Sequence, residues 1–377
     1  MIDRPRLLSA FEKLVAFDSE SFHESAVKDH LRGALEALGL EVTEDDAASA
    51  LRDRGADAGN LYGFLPGTRA GAPHLFCAHM DTVSPGIGKK AVFQPDGRIT
   101  SDGTTVLGAD DAAALASILE ALTAIRENGL PHPDIEVLFS VAEEPFCQGT
   151  SVFDFSRVRS KTAYVPDLTG AVNAAAVRAP SILSLDITVK GRAAHAGFAP
   201  EDGINALTAA ARALAALPTG HTAPDTTVNF GTVSGGTGKN VVPDRVLIRG
   251  EIRSLRHEAA LAQAEEVRRV FDREAEALGG SAETVVTEEI RAYSIGEDEP
   301  AVRRFREALR RLGLGPAELI TTFGGSDNNN LAANGIRGLV IFSAMNDVHT
   351  VHEYTTARQL ADCAALILTL MTMEDTP

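Results

Sequence analysis

The sequence contains no tryptophan, and aromatic residues fill only 5% of its 377 positions. That scarcity argues against a carbohydrate site or a single-stranded nucleic-acid platform, because such sites stack their ligands on aromatic rings. Cysteine is scarce too. Cys77, Cys147 and Cys363 form an odd set without CxxC spacing. This excludes a disulfide framework and a thiolate metal site, and it predicts reduced thiols in the cytoplasm. Positive charge is in deficit: 35 Lys and Arg stand against 52 Asp and Glu, a formal net charge of -17. A chain this acidic repels phosphate backbones and anionic lipid surfaces, so neither nucleic acid nor a membrane is expected as a partner. Long hydrophobic runs are missing as well. The most apolar late stretch, Ala364 to Met371, is too short to cross a bilayer. Met1-Ile2-Asp3-Arg4-Pro5 leads into an amphipathic pattern and not into a signal-peptide core.

What is present is an ordinary globular balance, 44% hydrophobic and 23% charged, over a length that suits two domains. Leu7, Leu8, Phe11, Leu14 and Val15 follow helical spacing, as do Val27, Leu31, Leu35 and Leu38. Ser21 and Glu24 before the second run fit a capping box. Leu75 to Ala78, Ile135 to Val141 and Leu339 to Phe342 are continuous apolar runs that predict strands buried on both faces. A helical segment from about Asp111 to Glu127 separates the first two. Strand, helix and strand in this pattern predict an α/β domain whose mainly parallel sheet is covered by helices. The middle of the chain differs. Leu183 to Lys190 and Val246 to Arg253 alternate apolar with polar residues, the mark of an antiparallel sheet with one wet face. Helical patterns lie among them, near Gly203 to Leu217 and Glu258 to Leu278. The expected organisation is therefore a first domain over 1–177 and 294–377, with a smaller α+β domain over 178–293 inserted into it. Helices are expected in the returning part near 299–312 and 357–373.

Five clusters of acids and histidines bear on function. His79-Met80-Asp81 follows the first buried strand, and α/β sheets place ligand sites at the carboxyl ends of their strands. Two-residue spacing in an extended segment projects His79 and Asp81 to one side, where an Asp can accept the second N–H of a metal-bound imidazole. A plain polar turn has the same letters. Gly108-Ala109-Asp110-Asp111 opens a helix; either Asp caps it, or one carboxylate faces a cleft and bridges two cations. Glu143-Glu144 ends the second strand. Adjacent carboxylates there repel unless a cation or proton compensates, and one can ligate metal while the other serves as a general base. Solvated loop acids are the alternative. Asp167 follows the apolar Ala163 to Pro166. His349 lies seven residues past the last strand, with His352 and Glu353 behind it. Jointly, these clusters converge on one edge of the sheet. Ligation by His and carboxylate without thiolate suits zinc, cobalt or manganese.

With these motifs in order, the sequence resembles the M20 metallopeptidase family. The likeness extends through the middle domain, in Gly191 to Gly197, Gly235-Gly236, Asn240 to Pro243, and Glu251 to Ser254. Gly-Ala-Asp-Asp at 108–111 and the spacing of Ala179-Pro180-Ser181 look most like the peptidase T branch. The resemblance implies two divalent metals, zinc first and cobalt or manganese as alternatives. It implies that His79 and Asp167 hold one metal, that Glu144 and His349 hold the other, and that Asp110 bridges them. Asp81 would orient His79, and Glu143 would be the general base acting on a metal-bridging water. His195 from the inserted lid or dimerisation domain would stabilise the oxyanion. Asn240 and Arg253 would bind substrate, and Gly325 sits in what looks like the family's late substrate loop. The implied activity is a tripeptide aminopeptidase-like exopeptidase acting on short peptides, in a homodimer formed through the inserted domain. N-acyl-amino-acid deacylase or carboxypeptidase action on the same scaffold is the alternative. Two positions depart from the pattern. Ala112 stands where the peptidase T branch usually has Lys, and Leu168-Thr169-Gly170 follows Asp167 where small or acidic residues are usual.

Overall fold

The computed structural model describes residues 1–374. The chain forms two compact units. The first comprises Met1–Arg178, Ser294–Thr321 and the residues from Ser326 onward, and the second Ala179–Tyr293 with Thr322–Gly325.

The first unit is built on a nine-stranded sheet. Its four central strands are Ile135–Ser140, His74–His79, Thr162–Leu168 and Arg337–Phe342, hydrogen-bonded in that order and all parallel. Glu41–Glu44 and Leu61–Leu65 extend it antiparallel on one side. The continuous apolar runs have their expected consequence: every residue of His74–His79 and of Ile135–Ser140 is buried. The cover is helical. Helix Ala109–Asn128 packs against Arg4–Val15, against Ala357–Thr372 and onto strand His74–His79. Its alanines, Ala112, Ala113, Ala114 and Ala116, are buried. Small side chains let this helix lie in the middle of the unit rather than on its surface. Pro300–Leu312 begins on a proline, whose fixed φ suits the first helical turn.

The second unit is a five-stranded sheet, Gly220–Ala223, Thr226–Gly235, Arg245–Ser254, Ser181–Lys190 and Ser281–Ile290 in spatial order, antiparallel throughout. The alternation read from the sequence is the structural one. Leu183, Leu185, Ile187 and Val189 join Val246, Ile248 and Ile252 in a core with Val267, Val270 and Phe271 of helix His257–Glu276. Asp186, Lys190, Arg245 and Arg249 face solvent on the other side.

One local expectation fails. The helix after Ser21 and Glu24 does begin at Ser25, but Glu24 at its N-cap position makes no side-chain cap hydrogen bond. Both residues are engaged elsewhere, as described below. Among the described residues, no helix is long and apolar enough to cross a membrane.

Candidate metal centre

The parallel strands of the first unit deliver the acid and histidine clusters to one edge. His79 is the last residue of its strand, Asp167 the penultimate residue of the adjacent strand, and Glu143-Glu144 follow Ser140. His349 lies in the loop after Phe342. Asp110 comes from the start of helix Ala109–Asn128, where Asp110 and Asp111 still have non-helical backbone and the Asp110–Asp111 peptide is cis.

Asp110 sits at the middle of the cluster. One carboxylate oxygen, Oδ1, lies 3.1 Å from His79 Nε2, and the other, Oδ2, lies 3.2 Å from His349 Nε2. His349 Nε2 is also 3.0 Å from Glu144 Oε2. Ligand atoms of His79, Asp110 and Glu144 all fall within 4.8 Å of one another. The carboxylate of Asp110 thus faces two different imidazoles with two different oxygens, as a bridging ligand must. Asp167 is half-buried, and its charge interacts with those of Glu143, Asp110 and His79.

The supporting bonds fix the donor atoms. His79 Nδ1 lies 3.0 Å from the main-chain carbonyl of Asp81 and 3.3 Å from Asp81 Oδ1. The nearer acceptor is therefore backbone and not the carboxylate that the sequence suggested. Either acceptor places the proton on Nδ1 and leaves the Nε2 lone pair for a metal. The Asp81 carboxylate has further work: it accepts the N–H groups of Glu143 (3.0 Å) and Glu144 (3.2 Å) and the hydroxyl of Ser21 (2.7 Å). Glu353 accepts the N–H groups of Gly108 and Asp110 at 2.7 and 2.9 Å, pinning the backbone that presents Asp110. Asp111 accepts Ser343 Oγ at 2.7 Å and the N–H of His79 at 3.3 Å. Glu143 Oε1 accepts the Cys147 thiol at 3.3 Å.

The electrostatics describe a site short of positive charge. Burial pushes Glu143, Asp111 and Asp167 well above the usual carboxylate range, and neighbouring acids add to it. Burial also lifts Glu353 to about 7. The same carboxylates pull the histidines the other way. Against the opposing effect of burial, Asp110 and Asp81 raise His79, and hydrogen bonds to Asp110 and Glu144 lift His349 to about 10. Glu144 Oε1 is buried without a hydrogen-bond partner. Two imidazoles, clustered carboxylates and an unsatisfied buried oxygen are a donor set that divalent cations fit.

The four substrate-binding candidates all belong to the second unit. His195 is exposed, and its Nδ1 accepts the N–H groups of Gly197 and Phe198 at 3.1 and 3.2 Å, so the ring proton sits on Nε2. The ring stacks on Phe198, with centroids 4.2 Å apart. Asn240 lies beside it, because Ala196 N–H donates to the Asn240 carbonyl and His195 bridges to Val241. Arg253 is tied by two bonds to Glu251 and by a third to the Phe323 carbonyl. A side chain at Gly325 would run into Ile290. Sequence reasoning read Ser21 and Glu24 as a helix cap and gave Asp111 and Glu353 no role of their own in the site. Only the position of Asp111 and Glu353 beside proposed ligands offered a signal.

Known proteins are similar to this chain in sequence and fold. Residues 178–278 match the profile of the M20 peptidase dimerisation domain, and residues 60–178 match that of peptidase family M28. Bacillus subtilis protein YqjE is 35% identical over 98% of this chain and 99% of its own. The crystal structure of a tripeptidase from Staphylococcus aureus is 34% identical with a TM-score of 0.94, covering 99% of this chain and 98% of that one. Aminopeptidase PepT from Bacillus cereus is 37% identical with a TM-score of 0.90, covering 98% of each chain. The chain belongs to the M20 family of metallopeptidases, in its peptidase T-like branch. It is a metal-dependent peptidase.

Proposed function

We propose that the chain is a di-metal exopeptidase that releases the N-terminal residue from short peptides, tripeptides above all. The observation that carries the reading is Asp110, whose two oxygens face His79 and His349 separately. In this reading His79 and Asp167 hold one cation, Glu144 and His349 hold the other, and Asp110 is shared. Zinc is the proposed metal. The cations, when bound, supply Lewis acidity toward the scissile carbonyl and toward water.

The remaining roles fall to the chain itself. Glu143 carries the proton: its Oε2, the oxygen not engaged by Cys147, takes the proton of the attacking water and passes it to the leaving amine. Its burial favours the protonated form and so raises its basicity. Asp81 holds His79 in one tautomer and fixes the amides of both glutamates. His195, with its proton on Nε2, is a hydrogen-bond donor for the oxyanion. Arg253 and Asn240 bind the peptide's carboxylate or backbone, and Gly325 keeps the 322–325 loop close to Ile290. Residues 178–293 form the lid and dimerisation domain, and 1–177 with 294–377 the catalytic one. The match of 178–278 to a dimerisation profile supports a homodimer. Three buried cysteines without a disulfide suit a cytoplasmic enzyme.

The test is turnover on a panel of di- and tripeptides, free and N-acetylated, with zinc, cobalt or manganese. Free tripeptides are expected to be cleaved from the N-terminus, and chelation is expected to abolish turnover. Preference for the blocked peptides would overturn the aminopeptidase reading in favour of a deacylase or carboxypeptidase. A monomeric mass in solution would overturn the homodimer.

A further inference from the structure

The pair Ser21 and Glu24 reads in sequence as a helix cap, yet neither side chain caps the helix that follows. Ser21 Oγ donates to Asp81 Oδ2 at 2.7 Å. Glu24, fully buried, accepts the Ala142 N–H at 2.9 Å with Oε1, the same oxygen that accepts Phe22 N–H at 2.9 Å. Glu24 Oε2 is buried without a hydrogen-bond partner.

These bonds meet on the turn that presents Glu143 and Glu144. Three successive N–H groups, of Ala142, Glu143 and Glu144, are held by two buried carboxylates, Glu24 for the first and Asp81 for the other two. The turn needs holding. Ala142, Phe146 and Cys147 adopt left-handed backbone, with φ of 48, 71 and 55°, and non-glycine residues keep such values only where their surroundings over-determine them. The segment that supplies Ser21 and Glu24 is itself anchored. Thr82 N–H donates to the Ser19 carbonyl, Asp57 N–H donates to the Phe22 carbonyl, and Glu20 bridges to Thr82. It runs beside the chain that leaves His79.

We propose that Ser21 and Glu24 are positioning residues for the reaction: they fix Asp81 and the 142–147 turn, and through them the carboxylates of Glu143 and Glu144. The proposal rests on the assignment of Glu143 as proton carrier made above. Both act through other residues, Ser21 through Asp81 and Glu24 through the Ala142 N–H. Their contribution lies in holding the reacting carboxylate in one place, where a displacement of about an ångström costs a large factor in rate.

The experiment compares the parent with Glu24→Ala, Glu24→Gln and Ser21→Ala. It measures kcat and KM on a tripeptide with zinc, thermal melting, and hydrogen exchange of the amides of residues 141–147. For Glu24→Ala we expect kcat to fall about ten- to a hundredfold with KM changed less than about threefold, and exchange in the turn to accelerate. Glu24→Gln keeps an acceptor oxygen for both N–H groups and should restore kcat and exchange to within about threefold of the parent. Ser21→Ala, which removes one bond to Asp81, should show a smaller loss of kcat in a protein that melts close to the parent. The proposal is overturned if Glu24→Ala leaves exchange unchanged. It is equally overturned if exchange accelerates but kcat per folded molecule stays within about twofold. If the parent cleaves no tripeptide, the proposed function falls instead, and exchange in the turn still decides whether Glu24 and Ser21 hold it.

Discussion

The two units carry their candidate residues in opposite ways. In the first, every proposed ligand but Asp167 is bonded to another member of the cluster or to a buried polar residue behind it. Asp110 touches two histidines, and Glu353 pins its backbone. In the second, His195 and Asn240 are exposed, and Arg253 is spent on Glu251 and Phe323. In the proposed function, the first unit therefore holds the reaction chemistry as a preorganised cluster. The second holds groups that can hydrogen-bond but, by themselves, have nothing to react with. If that division is right, damage to the proposed ligands of the first unit removes metal and turnover together, whereas damage in the second spares the metal.

The largest expected effect is at Asp110. Asp110→Ala removes the oxygens that face both histidines, and it should lower metal content measured by elemental analysis together with turnover, by about ten-thousandfold or more. Retention of two metals by this variant would end the bridging reading. Glu143→Ala separates chemistry from binding. Its expected loss in kcat is about a hundred- to ten-thousandfold with metal content unchanged, and full activity after metal loading would show that another group carries the proton. His195→Ala tests the other side. The loss of one oxyanion donor costs about a hundred- to a thousandfold in kcat, again with metal retained. A His195→Ala protein that lost its metal would break the comparison outright.

How much of this was legible in the chain depends on how local each signal is. The central strands were visible because burial on both faces leaves an unbroken apolar run, as in Leu75 to Ala78. The antiparallel strands were visible because one wet face leaves alternation, as in Leu183 to Lys190. Strand-end placement then pointed to His79, Glu143, Asp167 and His349 without any knowledge of the pairing. Two kinds of feature left no such trace. Ala174–Ala179 is alanine-rich and reads poorly as a strand, yet it pairs with Glu318–Thr321 and Arg337–Phe342; sheet context overrides its weak propensity. The residues behind the site are joined across the chain. Glu353 binds Gly108 at a separation of 245 residues, and Ser343 binds Asp111 at 232. No window of sequence holds both partners. Ser21 and Glu24 show the cost of reading such residues locally. Their spacing fits a capping box, but their side chains bond Asp81 and Ala142, 60 and 118 residues away.

The smallest effect should come from Arg253, and it sharpens the comparison most. Its guanidinium grips Glu251 with bonds of 2.8 and 3.0 Å and the Phe323 carbonyl at 2.9 Å. The pair is about a third exposed on both sides, so its loss should cost no more than about 1 kcal/mol of stability. If Arg253 also meets the substrate, Arg253→Ala should raise KM several-fold while kcat and metal content change little, the pattern of lost ground-state binding. Arg253→Lys keeps the charge but not the planar fork. A planar carboxylate held by two parallel bonds would leave the Lys protein as impaired as the Ala protein, whereas attraction by charge alone would let Lys recover most of the KM. An unchanged KM in both, with only the melting temperature lowered, would confine Arg253 to bracing Glu251 and the 322–325 loop.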